Sequence, residues 1–322
     1  MKKILIRIES YEKSGLGGME TRIKDFISKK NINYNFVILS NRKLDSLFNK
    51  KCIFQNYNSI KGIFKDIITF RDYSIIESNG HRDNLISIIN YLLFLPFYKI
   101  KNIKLFIVVH GIIGLKGNKG IQKIIYNFIF FIGIIISNKI IVVSQETKLF
   151  IKDKFILFNK SLNKKIIIVP NYIKITKKYH KNSIEKIGKA LLVSRIEKTK
   201  LNGIIESIKF CNKYKIKLDI YGGGEEKSKL EKQYSNIYFY GEVKNTDIKY
   251  DEYDIILGMG RSILEGLSKN LVGVLIGYNE IICDVNIKNI DKIKISNFSG
   301  RGIKKIKNNL IYNNIKNIIK NN

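Results

Sequence analysis

Tryptophan is absent from these 322 residues, and proline (2), cysteine (3), methionine (3) and histidine (3) are close to absent. Each scarcity closes off a class. Cys52, Cys211 and Cys283 share no metal-ligand spacing and cannot all pair, which excludes a zinc module or disulfide scaffold and fits a reducing cytoplasm. Only Pro96 and Pro170 interrupt a chain that is 45% hydrophobic, enough for substantial cores, and the length makes two domains the default. The most apolar stretch, Ile124 to Ile136, contains Asn127. It falls short of the ~20 residues that a spanning helix needs. Met1-Lys2-Lys3 is basic, but Ile4 to Ile8 contains Arg7 and runs into Glu9, a short strand rather than a cleavable leader.

Basic residues are plentiful: 58 against 27 acidic ones, a net charge of +31. Only eight of the 58 are arginine, and Lys, Ile and Asn saturate the whole length. That pattern reads as coding bias more than as a selected basic patch, and no basic-aromatic cluster or nucleic-acid-binding motif accompanies it. Nucleic acid is therefore not the expected partner. Attraction to anionic lipid surfaces still follows from the charge.

Lys3 to Ile8 reads as a buried strand. Ser14-Gly15-Leu16-Gly17-Gly18-Met19-Glu20 follows it, then a helix through Ile23 and Phe26. Strand, glycine-rich turn and helix form the layout of a phosphate-approach loop, although an ordinary turn has the same glycine count. Strands recur at Asn35 to Leu39, Tyr73 to Glu77, Leu105 to His110 and Lys139 to Val143, with helical stretches between them. Such alternation predicts a mostly parallel sheet covered on both faces. His110-Gly111 closes an Ile/Val run, which places His110 at the carboxyl edge of the sheet. A lone histidine is otherwise usually structural. His81 has a comparable place one strand earlier; His180 does not. The stretch from Ile121 to Ser137 reads as a buried or membrane-skimming helix, and Leu85 to Tyr98 is a second candidate for lipid contact.

Ile166 to Val169 is one more strand, closed by Pro170-Asn171. The chain then turns polar from Lys174 to Lys186, the expected domain boundary. Beyond it, strand-helix alternation resumes. Ala190 to Ser194 ends at Arg195, Leu218 to Tyr221 breaks into Gly222-Gly223-Gly224, and Asp254 to Leu257 turns through Gly258-Met259-Gly260-Arg261 into a helix beginning at Ser262. Ligands in open α/β sheets bind outside the carboxyl ends of strands. Helix N-termini there attract anions.

Arg195, Lys200 and Arg261 are cations just past predicted strands, suited to neutralising a phosphate-bearing leaving group without a metal. No Asp-x-Asp pair occurs, so the usual carboxylate clamp for a metal-bound nucleotide sugar is missing. Glu265 admits two readings. Ser262-Ile263-Leu264-Glu265 fits a capping box, and the same carboxylate could accept hydrogen bonds from a ribose. Ile303, Ile306, Leu310, Ile315, Ile318 and Ile319 form the apolar stripe of a terminal helix.

Taken in order, Gly17-Gly18-Met19-Glu20, His110-Gly111, Val143-Ser144, Val169-Pro170-Asn171, Ser194-Arg195 with Lys200, Tyr221-Gly222-Gly223-Gly224, and Leu264-Glu265-Gly266-Leu267 with Gly273-Val274 resemble the retaining glycosyltransferases of family four. The resemblance covers nearly the whole chain. It implies the α/β GT-B fold, two Rossmann-like domains with parallel sheets facing across a cleft. Residues 1–175 would form the acceptor-side domain and 176–302 the nucleotide-sugar domain, with a helix in 303–322 crossing back to brace the first. It also implies that Arg195 and Lys200 hold the diphosphate and that Glu265 binds the nucleotide ribose. Gly17 and Gly18 would approach the phosphates, and His110 would lie near the reacting sugar. Gly222, Gly260 and Arg261 complete the expected donor site. One departure is clear: the family's second glutamate, eight residues before the ribose-binding one, is Leu257 here, and the adjacent loop is short.

These readings converge on a retaining, metal-independent glycosyltransferase with no cofactor. It would move sugar from a nucleotide-diphosphate donor to a glycan or lipid-linked acceptor in bacterial lipopolysaccharide, capsule or other surface-glycan synthesis. The location expected is the cytoplasm, with peripheral contact at the anionic inner face of the membrane. The competing class is a non-catalytic protein, either a degenerate glycosyltransferase or a basic nucleic-acid-binding Rossmann-like module. A phosphorylase-like use of the fold would need a pyridoxal-bearing lysine site, and none is recognisable.

Overall fold

The computed structural model describes residues 2–8, 18–27, 34–40, 52–54, 73–111, 120–171, 173, 187–243 and 247–320. Gly17, His180 and the polar stretch 174–186 lie outside the described residues. The chain divides into two compact units, Met1–Pro170 and Asn171–Asn322.

The first unit is built on a parallel sheet of seven strands: β1 (Lys2–Ile8), β2 (Tyr34–Ser40), β3 (Cys52–Phe54), β4 (Ile75–Asn79), β5 (Lys104–Val109), β6 (Lys139–Val142) and β7 (Ile166–Ile168). Their spatial order is β3-β2-β1-β4-β5-β6-β7. The chain starts in the middle, builds outward, then returns to the other side of β1. Helix α1 (Gly18–Ile27) follows β1, α2 (His81–Leu93) follows β4, and α3 (Leu95–Ile100) carries Pro96 in its first turn, where a missing N–H costs nothing. Helix α4 (Gly120–Ile136) leads into β6, while α5 (Gln145–Lys154), a 3₁₀ turn at Ile156–Phe158 and α6 (Asn159–Lys165) lead into β7.

Strand alternation assigns the faces. Ile4, Ile6 and Ile8 pack with Ile23 and Ile27 of α1, whereas Leu5 joins Ile88 of α2 and Phe130 and Ile134 of α4. Arg7 follows Leu5 to that second face and meets Asp83 of α2, Nε to Oδ1 at 3.1 Å, with both side chains fully buried. Helix α4 is only half a core helix. Phe130 and Ile134 are buried, but Ile124, Ile125, Phe128 and Ile135 face outward.

The second unit has six strands: β8 (Lys189–Val193), β9 (Lys217–Tyr221), β10 (Tyr238–Gly241), β11 (Ile255–Gly258), β12 (Val272–Ile276) and β13 (Ile281–Asp284), ordered β10-β9-β8-β11-β12-β13. All pairs are parallel except β12 with β13, which are antiparallel. Helices α7 (Leu201–Lys213), α8 (Lys227–Gln233), α9 (Arg261–Leu267), α10 (Ile290–Ile295) and α11 (Asn308–Lys320) complete the unit. Ala190, Leu192, Leu218, Ile220, Ile255 and Leu257 point to α7 and α11. Leu191, Ile256 and Leu275 point to Ile263 of α9 and Ile293 of α10.

Helix α11 carries the terminal apolar stripe with its phase shifted by one residue: Ile311, Ile315 and Ile319 join the core under β12 and β13, and Leu310 is exposed. Asn314 Nδ2 also donates to the buried Asp284 Oδ1 at 3.0 Å. Residues 311, 315 and 319 share one helix face, from which Leu310 is turned away. Ile315→Ala should therefore cost ~2–5 kcal/mol. Hydrogen exchange should accelerate in β12 and β13 while the β1 and β4 amides stay unchanged.

Candidate functional site

In the second unit, β9, β8 and β11 are neighbours, and the chain order reverses between β8 and β11. Gly222-Gly223-Gly224, Ser194-Arg195-Ile196 and Met259-Gly260-Arg261 leave the carboxyl ends of these three strands. Arg195, Gly222, Gly260 and Arg261 thus occupy one sheet edge at a topological switch point, where α/β sheets bind ligands.

The glycines have a structural duty there. Ile196 N–H donates to the Gly223 carbonyl at 2.8 Å, and Glu226 N–H donates to the Ile196 carbonyl at 3.1 Å. A Cβ on Gly222, at φ 145°, would lie 1.8 Å from the Ser194 carbonyl oxygen, and one on Gly224 would lie 2.3 Å from that of Ile196. Only glycine lets the two loops interlock. The room the sequence offered to a phosphate is used first by residues 194–196.

Arg195 is exposed, while Lys200, at the N-cap of α7, is partly buried. Lys200 Nζ pairs with Glu197 Oε1 at 3.3 Å. Burial pushes the Glu197 carboxyl up, but Lys200, the Thr199 hydroxyl and Arg195 outweigh it and hold it below the usual carboxylate range. The two predicted cations therefore gather around one acid.

Gly260, at φ 61°, occupies the N-cap of α9, and its N–H donates to the Phe298 carbonyl at 2.7 Å. The capping box does not form. Helix α9 begins at Arg261, Ser262 Oγ donates to the Met259 carbonyl at 3.0 Å, and Glu265 Oε1 faces Arg261 Nε at 3.4 Å. An i,i+4 ion pair has replaced the reach back to the cap. The pair holds both side chains close to the sheet edge, and burial followed by the Glu265 charge pushes the Tyr250 phenol up.

The first unit has its own edge cluster. Gly18 opens α1, His81 opens α2, and His110 follows β5. His110 Nε2 lies 3.0 Å from Asn79 Oδ1, Asn79 Nδ2 donates to Glu77 Oε1 at 3.1 Å, and Arg22 Nη1 of α1 lies 3.6 Å from that same oxygen. Burial, and secondarily the Arg22 guanidinium, pushes the half-buried His110 ring down to about 3. The ring is neutral across physiological pH. Sequence reasoning missed Arg22, Glu77 and Asn79; the available signal was a run of polar residues, Glu77-Ser78-Asn79, completing a strand whose neighbours are Ile and Val.

No protein-family profile matches the chain, and no curated protein matches its sequence. Solved structures do resemble it. Anabaena HepE, in complex with UDP and glucose, superposes with a TM-score of 0.64 at 15% identity, over 85% of this chain and 80% of that one. A glycosyltransferase from Rickettsia africae gives 0.61 at 15% identity over 100% and 94%. The lipopolysaccharide outer core galactosyltransferase WaaB gives 0.53 at 17% identity over 98% and 95%. The fold is that of GT-B glycosyltransferases, two Rossmann-like units in series.

The depressed His110 sets a pH dependence. Histidine in the unfolded chain titrates near ~6.5, whereas the folded ring does so only near about 3. Between those values the unfolded chain binds more protons, so stability falls as pH drops through the window. Denaturant melts at pH 7 and pH 5 should show that loss, and His110→Gln should reduce it.

Proposed function

We propose that the chain is a retaining, metal-independent glycosyltransferase acting on a nucleotide-diphosphate sugar and an acceptor hydroxyl. One observation carries the reading: Arg195, Lys200, Arg261 and Glu265 gather at the carboxyl edge of three adjacent strands, at the switch point of the second sheet. Solved neighbours of the same fold contain UDP or UDP-glucose, which supports a nucleotide-sugar donor. Arg195 and Lys200 neutralise the diphosphate as it departs, Arg261 reinforces them, and Glu265 accepts hydrogen bonds from the ribose. Charge that develops on the leaving group meets fixed cations and backbone amides, so no metal is required.

Gly18 opens α1 at the carboxyl edge of the first sheet. His110, neutral at working pH, offers that edge a hydrogen-bonding group rather than a proton carrier. The acceptor is a glycan or lipid-linked glycan of the bacterial surface. Among solved neighbours, WaaB is a lipopolysaccharide galactosyltransferase, which supports that setting.

Peripheral contact with the inner, anionic face of the cytoplasmic membrane belongs to the same reading. Ile124, Ile125 and Phe128 on α4, with Leu157 at 90% exposure on the 3₁₀ turn, leave apolar surface uncovered beside the lysine-rich segment 145–165. No helix among the described residues is long and apolar enough to cross a membrane.

UDP or GDP should bind in titration calorimetry, and Glu265→Ala should weaken binding ~10–150-fold, the loss of ~1.5–3 kcal/mol from a charged hydrogen bond. Donor hydrolysis should persist in EDTA. Binding without hydrolysis of any UDP-, GDP- or ADP-sugar supports the degenerate alternative, and failure to bind either nucleotide removes the donor reading. For the membrane, Phe128→Asp combined with Leu157→Asp should abolish flotation with phosphatidylglycerol vesicles while leaving nucleotide affinity unchanged.

A further inference from the structure

The geometry points to Glu77 and Asn79 as positioning residues that hold the His110 imidazole in its Nε2–H tautomer, leaving Nδ1 as a hydrogen-bond acceptor for a sugar hydroxyl at the carboxyl edge of the first sheet. The sugar rests on the proposed function, but the tautomer assignment stands on the first unit alone.

The chemistry of each partner dictates the next. Glu77 lies beside the Arg22 guanidinium at 3.6 Å, and its carboxylate can only accept. Asn79 must therefore turn its NH₂ toward Glu77, at 3.1 Å, and its carbonyl oxygen toward His110. That oxygen is an acceptor, so His110 Nε2, 3.0 Å away, must carry the proton. A neutral ring has one proton to place, and Nδ1 is left with a lone pair. Among the described residues, no hydrogen bond reaches Nδ1. The low basicity of this ring fits the same picture, since it stays neutral and its tautomer remains a defined property.

A purely structural role does not explain the cost. Glu77 is 6% exposed and Asn79 fully buried, and each is flanked across the sheet by apolar residues, Glu77 by Ile6 and Phe106 and Asn79 by Ile8 and Val108. Burying such groups costs free energy that an apolar pair would avoid. Their contacts all run in one direction, from α1 through β4 to the half-buried ring at the carboxyl edge. Strand parity agrees: Glu77, Asn79 and His110 share the sheet face that α1 covers, opposite Ile76, Leu105, Ile107 and Val109. A site that must offer one fixed acceptor to a hydroxyl needs this orientation set before the ligand arrives.

Long-range ¹H–¹⁵N correlation spectra of the full chain test the assignment directly. Wild type should show His110 as the Nε2–H tautomer. Glu77→Gln keeps a side-chain acceptor for Asn79 and should preserve it. Glu77→Leu frees the Asn79 amide to turn over, and Asn79→Leu removes the partner, so both should give a mixed or Nδ1–H ring. In turnover, Glu77→Leu should lower kcat ~10-fold or more, the worth of one hydrogen bond, with nucleotide affinity unchanged and Glu77→Gln near wild type. An Nδ1–H ring in wild type, or an unchanged tautomer in Asn79→Leu, overturns the proposal, as does an unchanged kcat in Glu77→Leu. The donor reading fails separately: no nucleotide binding with the Nε2–H ring intact in wild type and mixed in both leucine variants would remove the donor and keep the positioning assignment.

Discussion

A parallel sheet covered by helices on both faces leaves polar chemistry one outlet, the edge where strands hand the chain to helices. Both units obey that constraint. In the first, isoleucines of β1 are buried against α1 on one side, and Leu5 with its neighbours against α2 and α4 on the other. In the second, alternate residues of β8 and β11 are divided between α7 with α11 and α9 with α10. What remains at the carboxyl edges is glycine, histidine and a few paired ions. Charges buried in mid-strand show the cost of departing from this rule: Arg7 is tolerated with Asp83 bonded to it across the helix interface, and Asp219 of β9 with Lys189 at 2.9 Å and the Tyr253 hydroxyl at 2.8 Å.

A net charge of +31 would seem to make any surface attractive to phosphate, yet the edge residues do not work by charge count. Lys200 is tied to Glu197, Arg261 to Glu265 and Arg22 to Glu77. Each acid subtracts charge but fixes where its cation sits. Exposed lysines elsewhere are solvated and screened beyond about 8 Å at physiological salt. Recognition of an anion by shape follows from held geometry, which scattered lysines cannot supply.

The sheet strands were legible because the Ile/Val runs that a two-sided burial demands are visible in the sequence, as at Phe106 to Val109 and Ile140 to Val143. Two of the edge strands were not. Cys52–Phe54 is three residues long, and Ile281–Asp284 pairs antiparallel behind a turn, so neither offers a periodic pattern to read. The stripe on the last helix was legible at Ile315 and Ile319 but out of phase at Leu310, which is exposed while Ile311 is buried under β12 and β13, because a segment this rich in Ile and Asn fits two neighbouring helix faces. Glu265 illustrates a different limit. Ser-x-x-Glu spacing fits a capping box, but it coincides with Arg-x-x-x-Glu, and a helix start one residue earlier selects the ion pair. Glu77 and Asn79 escaped because their meaning depends on Arg22 and His110, brought together by three separate elements.

The short turn after β11 bears on the departure at Leu257. Leu257 is fully buried and faces the core shared with α7 and α11. A glutamate there would point an unpaired charge into hydrocarbon. The strand ends one residue later, at Gly258, and α9 begins at Arg261, so Met259 and Gly260 are the whole connection. A turn this tight leaves no loop from which a second carboxylate could reach outward, and the first side chain it does present is a guanidinium already aligned by Glu265. In place of two acids, the edge offers one acid and one cation 3.4 Å apart. A guanidinium suits an anion and a lone carboxylate suits a hydroxyl, so this edge of the second unit can serve one of each where two acids would serve hydroxyls alone.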